Sequence, residues 1–296
     1  MVKNIARLFS RALLGRAAYE RIQFRRHVGY WPRLSAPVSF NEKICARKMA
    51  GDTPEAIILQ DKCEVRRVVS ERVGDSYLTE LFGVLDSPEE LDYEALPTSF
   101  VLKSNNGCGP KSILIVEDKS HWSEKALRQR VASIFERSEN CFERFFYYTN
   151  EWWYGEIPTR VIIEEYLNEG SGGVPLDYKF FVFHGRVAFI QVDFGRFVKH
   201  TRTFYDRDWE RQPFILGFPS GPDVHKPKCL TDMIRVAETL ANGYEFLRVD
   251  LYEIDDDRVV FGEVTFAPDL GHGRFEPLEW DNKLGSLWSY KAIRNG

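Results

Sequence analysis

Apolar positions recur along this chain with two periods, and the periods divide it into helices and strands. In residues 1–50 they follow helical spacing, with Ile5, Leu8, Phe9, Ala12 and Leu13 on one stripe. The pattern breaks near Trp31-Pro32 and Ala36-Pro37. A second helical stretch is predicted from Pro54 to Val73, with Asp61 and Lys62 inside it. Short β-branched and aromatic runs at Ser99–Lys103, Ser112–Val116, Arg160–Tyr166, Asp177–Phe183 and Val187–Phe194 read as strands. Helices are predicted at Glu124–Arg137 and Leu230–Asn242, and a polar, glycine-bearing tail follows Phe266. This mixture predicts an α+β protein with antiparallel sheets.

The segment Leu247–Phe266 alternates in both halves and predicts a hairpin. With a four-residue loop at Asp255–Arg258, Ile254 pairs with Val259 and Tyr252 with Phe261. The same register sets Asp250 opposite Glu263 and Arg248 opposite Thr265, with all four on one face. Like charges directly opposite one another are destabilising unless neutralised. A divalent cation with oxygen ligands would neutralise them, and so would a neighbouring lysine or arginine; both readings stand at this point. Ser104–Pro110, a glycine-rich loop after a strand ending in Lys103, could cradle phosphates through backbone N–H groups. It fits neither a P-loop nor a dinucleotide fingerprint, and an ordinary Asn-Gly hairpin turn would look the same.

Composition narrows the classes. The 296 residues, 44% of them hydrophobic, suffice for about two domains. A net charge of −4 gives no global reason to expect nucleic acid as a partner. Five cysteines without paired CxxC spacing suit a reducing compartment. No run approaches a membrane span, and Arg7 and Arg11 interrupt the only signal-like stretch, so a cytoplasmic protein is expected. Charge is uneven: Lys3, Arg7, Arg11, Arg16, Arg21, Arg25, Arg26 and Arg33 face a single acid, Glu20, within Lys3–Arg33. A basic amphipathic helix of this kind could lie on an anionic membrane surface, dock on its own domain, or bind a partner protein. The six histidines show no metal-ligand spacing, and Cys108 shows no partner for a nucleophile's role. Trp152–Tyr154 and Phe145–Tyr148 suit a core or a lid.

The ordered set is more specific than its parts. Asp61-Lys62 comes first, then Lys103 and the glycine-rich loop, then the acidic strand end Ile162–Leu167, then Arg248, Asp250 and Glu263. This order resembles the ATP-grasp superfamily. Ser39–Lys43, Val65-Arg66, Leu96–Gly109, Ile163–Leu167, Asp177–Phe180, Gln191–Asp193 and Arg248–Gly271 resemble its TupA-like branch, linked to teichuronopeptide and other cell-surface polysaccharide pathways. The likeness spans roughly residues 38–290.

The resemblance implies ATP bound between two α+β subdomains, with a helical N-terminal extension at 1–50, a connecting region at 51–98, a small subdomain at 99–165 and a large one at 166–296. It implies Lys62, Lys103 and Lys179 on ATP phosphates, with Gly107, Cys108 and Gly109 as their cover. Glu164, Glu165, Tyr166 and Leu167 would line the adenine, and Glu165 or Asp177 would meet the ribose. Mg2+ would sit on Asp250 and Glu263. Thr265 stands where many relatives carry asparagine, and Asp269 or water could complete its role. Arg248 and Lys103 would act in catalysis, Arg248 on the charged intermediate unless it serves only as a salt bridge. Asp193 and Arg196 would face the acceptor or form a surface pair. The implied activity is ATP- and Mg-dependent carboxylate–amine ligation through an acylphosphate, on a uronic acid or amino acid of a surface polysaccharide. A sugar or glycolipid kinase, and a non-catalytic nucleotide-binding scaffold for membrane glycosyltransferases, are the alternatives.

Overall fold

The computed structural model describes residue 7 and residues 10–51, 54–107, 109–139, 146–168, 175–195 and 199–290. The chain forms two compact units, Met1–Leu8 with Thr53–Gly173, and Phe9–Asp52 with Val174–Gly296. In chain order the helices are α1 (Arg16–Val28), α2 (Phe40–Ala50), α3 (Glu55–Gln60), α4 (Glu64–Val73), α5 (Glu124–Glu139), α6 (Phe146–Thr149), α7 (Trp153–Glu156), α8 (Leu230–Leu240) and α9 (Glu279–Ser286). The strands are β1 (Leu81–Leu85), β2 (Phe100–Ser104), β3 (Ile113–Val116), β4 (Val161–Glu164), β5 (Asp177–Phe183), β6 (Arg186–Phe194), β7 (Thr201–Asp206), β8 (Ile215–Leu216), β9 (Phe246–Ile254), β10 (Arg258–Thr265) and β11 (Phe275–Glu276).

The first unit carries an antiparallel sheet ordered β1-β4-β2-β3. Phe100 and Leu102 of β2 and Ile163 of β4 bury against Leu127, Val131 and Ile134 of α5. The predicted single helix at 54–73 is two helices, and the break falls on Asp61–Cys63. The Asp61 carboxylate causes it by accepting from the Cys63 backbone N–H at 2.8 Å.

The second unit is built on an antiparallel sheet ordered β10-β9-β5-β6-β7. On one face Phe180, Val182, Val249, Leu251 and Ile190 are buried, and α8 packs against β5, β6 and β9. Along α8, Met233, Val236, Ala237 and Leu240 supply the matching stripe. The opposite face is divided. At one end Phe181, Phe183 and Phe246 meet Phe40 of α2 at centroid distances of 5.0–6.0 Å. The other end is polar.

Residues 9–52 cluster with 174–296 in the second unit. Ser39 caps α2 in a reciprocal box with Glu42. Asn41 bonds Asp281 of α9 through its backbone N–H at 2.9 Å and its side chain at 3.0 Å. Lys43 donates to the carbonyls of Gly285 and Trp288. Gly285 is required for this approach, since a Cβ there would stand 2.3 Å from the Val38 carbonyl oxygen. The polar tail expected after Phe266 therefore contains a helix and two fully buried aromatics, Phe275 and Trp288.

Candidate functional site

The charged end of the five-stranded sheet gathers residues from all five of its strands. Asp250 stands opposite Glu263 and Arg248 opposite Thr265, as the alternation requires. The hairpin tip differs from expectation: Ile254 pairs with Arg258 and Tyr252 with Val260, because Asp255 and Asp256 take positive φ and shorten the turn. A bulge between Phe261 and Glu263 absorbs the extra residue and restores the register. Gly262 sits there, where a Cβ would meet the Tyr252 ring at 2.9 Å and the Asp250 carbonyl oxygen at 3.1 Å.

Arg248 grips Asp250 in a fork, Nε to Oδ1 at 2.7 Å and Nη2 to Oδ2 at 2.8 Å. Its Nη2 also reaches Glu263 at 3.3 Å and the Thr265 hydroxyl at 3.0 Å. Lys179, paired with Asp250 across β5 and β9, donates to Asp250 at 2.5 Å and to Asp177 at 2.7 Å. Burial would raise the Asp250 pKa, but Arg248 and Lys179 outweigh it and hold the carboxyl below its ordinary range. Burial likewise opposes the charge on Arg248, yet Asp250 and Glu263 hold its pKa above the ordinary value.

These donors suit a hard divalent cation. Among the described residues, the carboxylates of Asp177, Asp250 and Glu263 lie with the cations Lys179 and Arg248. The Glu263 side chain is 46% exposed, and its ion pair with Arg248 is long. Asp250 Oδ1 takes one of these bonds and Oδ2 two, so a carboxylate with about four lone-pair positions retains one.

A second polar group adjoins along β6 and β7. Asp193, opposite Asp177, accepts from Arg202 Nε at 2.8 Å and from Gln191 at 3.1 Å. Arg202 also donates to Asp269 at 2.9 Å, so Asp269 has a partner of its own. Asp269 and Leu270 both take positive φ, 48° and 61°. Burial disfavours the Arg202 charge, but Asp269 and Asp193 hold its pKa up. The sequence reading missed Arg202 because its strand, Thr201–Asp206, went unrecognised; alternation of Arg202 and Phe204 with threonines was the available signal. Arg196 lies outside the described residues.

In the first unit the glycine-rich loop has a fixed root. Ser104, Asn105 and Asn106 are buried. Asn105 bonds Asp61 at 3.0 Å and the Arg160 backbone N–H at 2.8 Å, and Arg160 closes the circuit on Asp61 and Glu64. Lys62 donates its backbone N–H to the Asn105 carbonyl at 3.1 Å and its Nζ to the Gly107 carbonyl at 2.9 Å. A Cβ at Gly107 would lie 2.7 Å from Ser112, so only glycine fits that neck. Gly109 is exposed with φ 78°, and Cys108 lies outside the described residues.

Lys103 forms an ion pair with Glu164, which also accepts from Thr79 at 3.1 Å and lies 3.6 Å from Arg66. Glu165 is tied to the Glu80 main chain in both directions, at 2.9 and 3.1 Å. Tyr166 reaches Glu117 at 3.4 Å, and Leu167 is half-buried beyond the strand. The set thus falls into two groups, Lys62, Lys103, Gly107, Gly109 and Glu164–Leu167 in one unit, and Asp177, Lys179, Arg248, Asp250, Glu263 and Thr265 in the other.

One buried cluster escaped the sequence reading. Glu20, Cys45 and His272 place ligand-type atoms within 4.8 Å of one another. Lys48 donates to Glu20 at 2.9 Å and supplies the positive charge there.

Among solved structures the chain is similar to D-cycloserine synthetase DcsG, at 14% identity over 82% of this chain and 75% of that one, TM-score 0.47. It is similar to D-alanine–D-alanine ligase from Bacillus anthracis complexed with ATP, at 15% identity over 71% and 54%, TM-score 0.41. It is also similar to the L-amino acid ligase from Bacillus licheniformis, at 13% identity over 70% and 42%, TM-score 0.44. The chain spans about half the length of that D-alanine–D-alanine ligase. No curated protein matches it. A family model for TupA-like ATPgrasp proteins matches residues 42–289, which take in every described strand and all the helices from α3 to α9. The chain belongs to the TupA-like ATPgrasp family.

Proposed function

We propose that this chain is an ATP- and Mg-dependent carboxylate–amine ligase. Its acceptor would be a uronic acid or amino acid component of a surface polysaccharide or glycopeptide. The carrying observation is the buried arginine–aspartate–lysine cluster beside Glu263 and Thr265, in a chain of this family. ATP would be held by Lys62, Lys103, the loop at 107–109, the Glu164–Leu167 segment, Asp177 and Lys179. Lysines suit phosphate oxygens as compact point charges. Mg2+ would be held by Asp250 and Glu263, with Thr265 as a weaker oxygen donor, and would neutralise charge on the phosphate oxygens.

In the reaction, a carboxylate oxygen takes the γ-phosphoryl group and ADP leaves. The amine nitrogen then attacks the acyl carbon, the C–O bond to phosphate breaks, and the nitrogen loses a proton. Arg248 supplies a fixed guanidinium for the charge that builds on oxygen, already oriented by its fork with Asp250. Lys179 shares Asp250 with it, so one carboxylate positions both cations.

The test is a screen of uronic acids and amino acids with ATP and Mg2+, read by mass. An amide formed together with ADP and free phosphate is expected. A stable phosphoester without free phosphate would instead identify a kinase. A parallel thermal shift with ATP should show a Mg2+-dependent stabilisation that Glu263→Gln abolishes in a folded protein.

A further inference from the structure

Exposed large apolar side chains concentrate near the N-terminal end of the described chain. Leu13 is 88% exposed, Trp31 62%, and Leu14, Ile22 and Val38 are each at least 40% exposed. Singly such residues are ordinary. Here they interleave with Arg16, Arg21, Arg25, Arg26 and Arg33, all exposed.

The fold fixes how α1 presents them. Tyr19, Glu20, Phe24 and Val28 are its buried positions. Lys48 and His272 both bond the Glu20 carboxylate, at 2.9 Å each, and so pin the helix to its unit. Ala18, Arg21, Ile22 and Arg25 then share an outward stripe by their i, i+3, i+4, i+7 spacing, with Arg26 beside it. The one acid of the helix, Glu20, is buried, so nothing negative interrupts that stripe. Arg16 bonds the Lys48 carbonyl and Arg33 pairs with Glu42. Among the described residues, no ion pair is formed by Arg21, Arg25 or Arg26. Trp31 follows two residues after Gly29, which ends the helix with φ 103°.

We infer that this surface docks on an anionic phospholipid bilayer. Arginines on an otherwise acidic chain, of net charge −4, give a local attraction that orients the molecule. Exposed leucine and isoleucine match the boundary between headgroups and acyl chains, where tryptophan is also favoured. Nucleic-acid phosphates would engage the arginines but leave Leu13, Ile22 and Trp31 without a role. No helix among the described residues is long and apolar enough to cross a membrane, so the contact would be peripheral.

The test is flotation of the full chain with phosphatidylcholine vesicles, with and without phosphatidylglycerol. Flotation only with phosphatidylglycerol, weakened by salt, is expected. Arg25→Glu/Arg26→Glu should reduce vesicle affinity roughly tenfold or more. Arg25→Lys/Arg26→Lys should retain it, and Ile22→Ser/Trp31→Ala should lower what survives at high salt. All four positions changed are exposed, and unchanged thermal midpoints would confirm folded variants. No flotation by the unaltered chain, equal flotation with both vesicle types, or equal binding by the charge-reversal variant would overturn the inference. Flotation reads no turnover, so its outcome bears on this surface and leaves the ligase chemistry to its own test.

Discussion

The two sheets of this molecule share antiparallel construction but carry charge in different places. In the four-stranded sheet Lys103 and Glu164 sit at the ends of β2 and β4, while Phe100, Leu102 and Ile163 fill the interior. In the five-stranded sheet Lys179, Gln191, Arg248 and Asp250 lie within the strands, Asp177 and Asp193 lie toward strand ends, and every one is buried. Charge survives in mid-sheet only when neighbouring strands neutralise it, because an unpaired buried ion costs several kcal/mol. Strand register therefore does more than pack the second unit. It sets Lys179 beside Asp250 and Arg202 beside Asp193, while Arg248 and Asp177 find partners on their own strands.

The sharpest way to break this contrast is Asp250→Ala. It strands Arg248 and Lys179 without their shared carboxylate, and a loss of about 3–5 kcal/mol in unfolding free energy is expected. Urea unfolding of the second unit measures it. A loss under about 1 kcal/mol would mean that solvent already screens the cluster. The milder Asp250→Asn keeps shape and two acceptor positions, and should fold while ATP consumption drops about a hundredfold or more.

Gly262→Ala comes next. The added Cβ would crowd the Asp250 carbonyl at the bulge that restores the Asp250–Glu263 pairing. A loss of about 1–3 kcal/mol is expected from overpacking, accompanied by weaker Mg2+ stabilisation in a thermal shift. Unchanged stability and Mg2+ response would show that the register tolerates a slip.

In the first unit, Lys103→Met should cost no more than about 1–2 kcal/mol, because Glu164 keeps Thr79 and sits near Arg66. Under the proposed function its main effect is on ATP, read as a raised KM with a smaller change in kcat. A stability loss as large as that of Asp250→Ala would erase the distinction between the sheets.

Much of this arrangement was legible in the sequence. The facing of Asp250 and Glu263 followed from alternation with a four-residue loop; the turn is one residue shorter than that, and a bulge makes up the difference. The neutralising partner was only half legible. Arg248 lay in the same strand, but Lys179 reaches Asp250 from β5, about seventy positions earlier, and no periodicity announces which strands become neighbours. The alternation of β5, Asp177-Tyr178-Lys179-Phe180, reads locally as a strand with one solvated face, whereas both faces are buried. The anchors of the helices at residues 9–52, Asp281, Gly285 and Trp288, lie at the far end of the chain, where no local pattern reveals them.

The smallest expected effect tests a buried charge cluster away from the sheets. His272 is nearly buried, and burial pushes its pKa below the ordinary histidine value, against the bond to Glu20 that pulls the other way. Lys48, Glu20, Cys45 and the ring of His27, stacked at 5.5 Å, are the ionisable groups that face it. A histidine whose folded pKa lies below its unfolded one binds fewer protons when folded, so stability is present above about pH 6.5 and falls as pH drops below it. Glu20, held below the ordinary carboxylate range despite its burial, keeps its own contribution until far lower pH. The two can therefore be separated. In His272→Gln, thermal midpoints measured between neutral pH and about pH 5 should flatten relative to the unaltered chain, while the steep acid loss near and below pH 4 should remain. A variant that kept the full slope between pH 7 and 5 would show that His272 is not the group titrating there.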